Sequence, residues 1–292
     1  LYTCRNISVD TIFCLNSYDF LAIIRLLLKI KAFCPDLIHC HLARATKFGG
    51  LIGKFLSVPV ISKTHNLVNP KYYRNTTRIV VTTEAQMVHM LRHGFEREQL
   101  VKIPNFLGID NKITEQFKAQ NKIKHDDFVI KTLGRFVKKK GFDNLVNAVI
   151  DLRDKGVRVS LHIAGSGPEE ASLLKLINGS GHSDEIQLHR WVDDVSSFLS
   201  DADLFVLPSL DEPFGLVILD AMSTGVPILS TKTQGPLEIL SMETAYFLEA
   251  SNKNEIAKKI ELVIKDPSRL KKAVRANQEF NTKYSAEAVV PL

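Results

Sequence analysis

Short β-branched runs alternate with longer stretches whose apolar residues recur at helical spacing, and the alternation persists along nearly the whole chain. In the first part it predicts a helix over 19–33, a strand over 36–41 (DLIHCH), a helix over 47–56 and a strand over 59–64 (PVISKT). A strand over 78–83 (RIVVTT), a helix over 84–92 and a strand over 100–104 (LVKIP) follow. Residues 111–127 are polar and charged, lack an apolar run, and read as a linker. Beyond them strands are predicted at 129–133, 159–164, 186–188, 204–208 and 227–230. Helices at 141–155, 169–177, 195–200, 216–223 and 236–240 separate or follow these strands, and amphipathic helices at 254–265 and 268–282 close the chain. No internal repeat interrupts the scheme. Strand–helix alternation of this kind calls for parallel sheets covered by helices. The expected architecture is α/β, with two Rossmann-like domains at 1–112 and 128–292 joined by a linker at 113–127. Open α/β sheets bind ligands outside the carboxyl ends of their strands, so the cleft between the domains is the expected site.

Composition narrows the classes. The chain has 292 residues, 45% hydrophobic and 24% charged, the balance of an ordinary globular protein. A chain of this length buries ~75% of its unfolded surface and needs neither disulfides nor a structural metal. Lys and Arg number 38 against 32 Asp and Glu, a net charge of +6. That excess suits an anionic ligand or an anionic membrane surface. It forms no dense basic stripe and matches no nucleic-acid motif, so nucleic acid is not an expected partner. Cys4, Cys14, Cys34 and Cys40 form no CxxC pair and read as free thiols in a reducing cytoplasm. No signal-peptide pattern is present, and no run reaches the ~18 apolar residues of a membrane span. The nearest, FLAIIRLLLKI at 20–30, reads as a core helix, with docking on a membrane surface as the alternative.

Five segments bear on candidate chemistry. In LGRFVKKKG (133–141), Gly134 permits a tight turn past a strand end, and Arg135 and Lys140 project from the loop. Two cations so placed suit a diphosphate, with Arg gripping two oxygens and Lys acting as a mobile charge. A solvated basic loop is the competing reading and is the one expected for Lys138 and Lys139. AGSGPE (164–169) resembles a fragment of a dinucleotide fingerprint but lacks its third glycine, so tight-turn chemistry competes with it. In LFVLPSLDEPFGLVILDAMSTGVPILSTKTQGPLE (204–238), a strand leads into a loop with Asp211 and Glu212, and a helix starts near Gly215. Gly225 with Pro227 marks that helix's end. Its start offers free N–H groups and the positive dipole end to an anion. Asp220 lies eight residues after Glu212, beyond the first turn. His39-Cys40-His41 is a poor metal cluster, because alternate strand residues face opposite sides. Asp201-Ala202-Asp203 has the spelling of a cation-binding Asp-x-Asp motif and reads instead as a helix-to-strand turn.

Arg135 and Lys140 followed by the spaced acids Glu212 and Asp220 resemble the group 1 (GT4) family of retaining glycosyltransferases with the GT-B fold. The resemblance runs from about 36 to 250 through PDLIHCH, PVISKTH, IPNFLGID, LGRFVKKKGFDNLVNA, IAGSGPE, WVDDV, VLPSLDEPFGLVILDAMSTGVPI and QGPLEIL, in the family's order. It implies transfer of a hexose-type sugar from a nucleotide diphospho-sugar, with retention, to a saccharide or lipid-linked acceptor. By the family pattern Arg135 and Lys140 bind the donor diphosphate, and the backbone at Gly215 and Leu216 holds the distal phosphate. Glu212 contacts the donor sugar, Asp220 takes the ribose hydroxyls, and His41 lines the acceptor side. Fixed cations and a helix N-terminus stabilise a leaving diphosphate without a metal, so neither metal nor cofactor is expected. The implied setting is envelope polysaccharide or glycolipid (lipopolysaccharide-type) assembly in the cytoplasm at the inner face of a membrane.

The chain departs from the pattern in three places. Asp220 stands where the family has Glu, and Arg190 where it often has Gly before Trp191. The opening strand and glycine loop of the first domain are not found, so that domain reads as incomplete at its start. A truncated, inactive relative that only binds nucleotide is therefore one alternative. An NAD(P)-dependent oxidoreductase, suggested by AGSGPE alone, is another.

Overall fold

A computed structural model describes residues 7–16, 18–108, 127–249 and 251–291. It divides into two compact units, 1–103 and 104–292. The expected linker at 113–127 lies outside the described residues except for Asp127, as do Ile109 and Asp110 of the IPNFLGID motif.

The first unit runs α1 (Phe20–Phe33), β1 (Ile38–His41), α2 (Ala43–Leu56), β2 (Val60–Lys63), β3 (Arg78–Val81), α3 (Glu84–Arg92) and β4 (Leu100–Lys102). Its four strands are parallel, in the order β1-β2-β3-β4. Two of its helices start where the chain supplies a cap: the Asp19 carboxylate accepts from the Ala22 N–H at the head of α1, and the Thr83 hydroxyl from the Gln86 N–H at the head of α3. The core is small, built on Tyr73, Ile79, Val81, Met87, Met90 and Leu100. The core-helix reading of 20–30 does not hold. Among the described residues Ala22 is the one buried position of α1, while Phe20, Leu21, Leu28 and Phe33 are exposed together with Arg25.

The second unit runs β5 (Phe128–Leu133), α4 (Phe142–Asp154), β6 (Val159–Ala164), α5 (Glu170–Asn178), β7 (Ile186–His189), α6 (Val195–Leu199), β8 (Leu204–Leu207), α7 (Leu216–Thr224), β9 (Ile228–Thr231), α8 (Gln234–Ile239), β10 (Tyr246–Leu248), α9 (Lys253–Lys265), α10 (Arg269–Lys283) and α11 (Ala286–Val289). Strand β10 and helix α11 add to the pattern expected from sequence. All six strands are parallel, in the order β10-β9-β8-β5-β6-β7. Successive side chains of β8 enter opposite layers: Leu204 and Val206 pack with Ile130, Leu161, Val149 and Ile260, while Phe205 and Leu207 pack with Ile218, Met222 and Phe280. Burial on both faces explains the unbroken apolar run of this strand.

Chain direction through the sheet reverses between β5 and β8: β6 and β7 build outward on one side, β9 and β10 on the other. The helices leaving β5 and β8 therefore diverge, opening a crevice at the carboxyl ends of those two strands. At the opposite end of the same pair, Asp203 accepts from the Val129 N–H at 2.9 Å, and Asp201 binds the buried Lys131 ammonium at 2.5 Å. Asp201-Ala202-Asp203 is thus the turn between α6 and β8, each carboxylate occupied in holding β5 to it.

Candidate active site

Past Leu133 the chain makes a short loop, then one 3-10 turn at Lys138–Lys140, and enters α4 through Gly141. The loop is pinned from two sides. The Gly134 and Phe136 N–H groups donate to Ala164 and Ser166 carbonyls, and Leu210 N–H donates to the Lys139 carbonyl at 2.8 Å. The Lys140 ammonium donates to Glu212 Oε2 at 2.5 Å. Both side chains are largely buried, with 16% of Lys140 and 8% of Glu212 exposed. The residues are 72 positions apart in sequence, and the β5–β8 reversal is what brings them together. Arg135 is exposed, and among the described residues its guanidinium has no partner. Lys138 and Lys139 pair with Glu169 and Asp211 at 3.2 and 3.6 Å on the exposed side of the loop, in keeping with a solvated role.

On the other wall, Glu212 lies between β8 and α7, and its carbonyl accepts from the Gly235 N–H at 2.8 Å. Helix α7 starts from Gly215 (φ 91°), which has no side chain to cap it. Among the described residues the Leu216 and Val217 N–H groups find no acceptor, leaving the positive end of the helix open to an anion. The helix ends at Gly225 in the left-handed region, as its sequence predicts, and the Asn277 side chain donates to the Met222 and Ser223 carbonyls there.

Asp220 sits in the second turn of α7, half-buried, and no donor reaches its carboxylate among the described residues. Burial pushes its pKa up to about 6. A carboxyl with a raised pKa binds its proton more tightly in the folded chain, so its ionisation costs stability as pH rises from about 4 to about 6. Asp220→Asn is accordingly expected to gain about 1–3 kcal/mol at pH 7 and almost nothing near pH 4. Urea unfolding at the two pH values measures it. An acid kept at such a cost is in keeping with a ligand-binding role.

In the first unit His41 ends β1, and its Nδ1 lies 3.1 Å from His65 Nε2. The His39 ring lies tilted against it, with centroids 4.5 Å apart, and Cys40 is buried on the opposite face, as strand alternation predicts. Burial, then the neighbouring His41 and Lys63, lower the pKa of His65. His65 escaped the sequence reading, although parallel pairing of His41 with Lys63 puts the next turn of PVISKTH beside it. Among the described residues no group of three or more His, Cys, Asp or Glu is placed to hold a metal.

The AGSGPE turn serves packing. A Cβ on Gly165 or Gly167 would lie 2.0 or 2.5 Å from the Gly134 or Phe136 carbonyl oxygen, so the two loops meet backbone to backbone.

The model of "Glycosyl transferases group 1" matches residues 113–280, and that of "Glycosyltransferase Family 4" matches residues 7–111. The chain belongs to the group 1 glycosyltransferases. It is 30% identical over 292 residues to the lipopolysaccharide core biosynthesis glycosyltransferase LpsE of Rhizobium meliloti, covering 98% of this chain and 80% of that protein. It is 29% identical over 204 residues to the capsular polysaccharide biosynthesis glycosyltransferase CapM of Staphylococcus aureus, covering 67% and 52%. Among solved structures, Anabaena Alr3699/HepE in complex with UDP and glucose superposes with a TM-score of 0.77 at 18% identity, over 92% of this chain and 78% of that one. Its fold is the GT-B fold shared by such transferases. This group 1 member shows no helix among its described residues long and apolar enough to cross a membrane.

Proposed function

We propose that this chain is a retaining glycosyltransferase that moves a hexose-type sugar from a nucleotide diphospho-sugar to a lipid-linked or polysaccharide acceptor in cell-envelope glycan assembly. The observation that carries the reading is the meeting of Lys140 with Glu212 at the carboxyl ends of β5 and β8, beside the open N-terminus of α7. Departure of a nucleoside diphosphate builds negative charge on the β-phosphate. Arg135, Lys140 and the Leu216 and Val217 N–H groups supply the donors to receive it, which makes a divalent cation unnecessary. Glu212 faces the donor sugar, Asp220 the ribose, and His41 with His65 the acceptor hydroxyl. The assembly role draws on the lipopolysaccharide and capsule relatives, and the nucleotide on neighbours solved with UDP. Work in the cytoplasm at the inner face of an anionic membrane fits the apolar and basic surface of α1.

Calorimetric titration with UDP and GDP tests the donor site, and binding of neither overturns it. Arg135→Ala should weaken the bound nucleotide by about 10- to 100-fold, the loss of one charged hydrogen bond. Its melting temperature should stay unchanged, since the exposed guanidinium has no partner among the described residues. Sugar transfer to an envelope glycolipid, with the product's anomeric configuration read by NMR, tests the reaction. Nucleotide binding without any transfer would reduce the chain to a nucleotide-binding relative.

A further inference from the structure

The two cations of the candidate donor site are not equivalent. Arg135 is exposed and has no partner among the described residues, whereas the Lys140 ammonium already sits on Glu212 Oε2 at 2.5 Å. The pair is largely shut away from solvent, and the Ser209 hydroxyl, 3.5 Å from the same oxygen, is too distant to replace the lysine. A carboxylate and a diphosphate compete for one ammonium. A group carrying two or more negative charges, reinforced by Arg135 and the N-terminus of α7, outbids a single carboxylate for it.

Resting on the donor-site reading above, we propose that Glu212 and the donor diphosphate exchange on Lys140. Before the donor binds, Glu212 holds the lysine as an internal stand-in for phosphate. The incoming diphosphate first meets Arg135, then draws Lys140 away, and the Glu212 carboxylate so released turns to the hydroxyls of the donor sugar. Glu212 is thereby a gate on nucleotide affinity as well as a sugar contact. The pair keeps the lysine oriented and its partner desolvated until a diphosphate arrives, and a lone sugar does not open it.

Isothermal titration of UDP, GDP and inorganic pyrophosphate into the wild type and Glu212→Gln tests the exchange. With the competing charge removed, the variant is expected to bind pyrophosphate and the preferred nucleotide roughly three- to tenfold more tightly while its sugar transfer falls. Wild-type binding of UDP or GDP accompanied by equal or weaker binding in Glu212→Gln overturns the exchange and leaves the donor site standing. Absence of nucleotide binding in the folded wild type overturns the donor site itself. If Glu212→Gln fails to fold, Glu212→Asp answers the same question, because its shorter carboxylate withdraws from Lys140. Tighter pyrophosphate binding supports the exchange there too, and unchanged binding overturns it.

Discussion

Lys140→Ala is expected to damage stability and turnover together. The substitution strands Glu212, 8% exposed, without its counter-charge. Removing one member of a buried pair costs roughly 3–5 kcal/mol, because the remaining charge stays desolvated and unpaired. The lower end applies here, since 16% of the lysine side chain is open to water and water enters more readily once it is gone. Turnover should fall by about 10²- to 10³-fold with the loss of a positioned cation from the leaving diphosphate. The double variant Lys140→Ala/Glu212→Gln separates the two effects. It removes the stranded charge, so most of the lost stability should return, while transfer stays at or below the level of the single variant because Glu212 is itself a sugar contact. Urea unfolding beside a transfer assay on both proteins decides it. A single variant as stable as wild type would show that Glu212 is not held by Lys140 in solution.

This contrast between Arg135 and Lys140 could not be read from sequence. Both cations follow the same strand, and LGRFVKKKG gives them the same local signal. What distinguishes them is the partner strand. The order β8-β5-β6 puts the loop bearing Glu212 against Lys140 and leaves Arg135 facing out. Neighbouring of β5 and β8 is a property of the whole sheet, and no local pattern encodes it. Most helices and strands were legible, because their apolar periods are set by the faces they bury, as in α4 and β6. Strand β10 was not: Tyr246–Leu248 is three apolar residues, too short to display a period. The exposure of α1 is hidden from the sequence for a different reason. Periodicity reports which residues are apolar, not whether anything covers them. His65 ends the PVISKTH segment, yet its place beside His41 depends on the register of β1 with β2. The Asp201-Ala202-Asp203 turn, by contrast, was readable from position alone, since it falls between a helix and a buried strand.

Gly141→Ala should be at least as damaging as loss of the lysine, although residue 141 has no side chain and touches no substrate. Gly141 closes the turn that carries Lys140 and opens α4, at φ 66°, in the left-handed region. A Cβ there would lie 2.2 Å from the Pro208 carbonyl oxygen and 2.7 Å from Ser251 Oγ. The Pro208 carbonyl cannot yield easily, because it already accepts the Ser251 hydroxyl at 2.5 Å and directly follows a strand buried on both faces. Left-handed strain and a backbone collision together are expected to cost about 3–5 kcal/mol, or roughly 10 °C in melting temperature for the second unit. The alternative to unfolding is that the β5 loop backs away from the β8 loop. Retreat would break the Leu210-to-Lys139 hydrogen bond and pull Lys140 from Glu212. Nucleotide affinity then falls even in whatever fraction stays folded. Differential scanning calorimetry with and without UDP distinguishes the outcomes. Simple destabilisation lowers the melting temperature but preserves the rise that nucleotide confers, whereas a displaced loop abolishes that rise. Because the close approach at residue 141 is what seats Lys140 on the crevice, loss of the nucleotide-induced rise is the expected result. A Gly141→Ala protein that melts and binds like wild type would show that the two loops are not in contact.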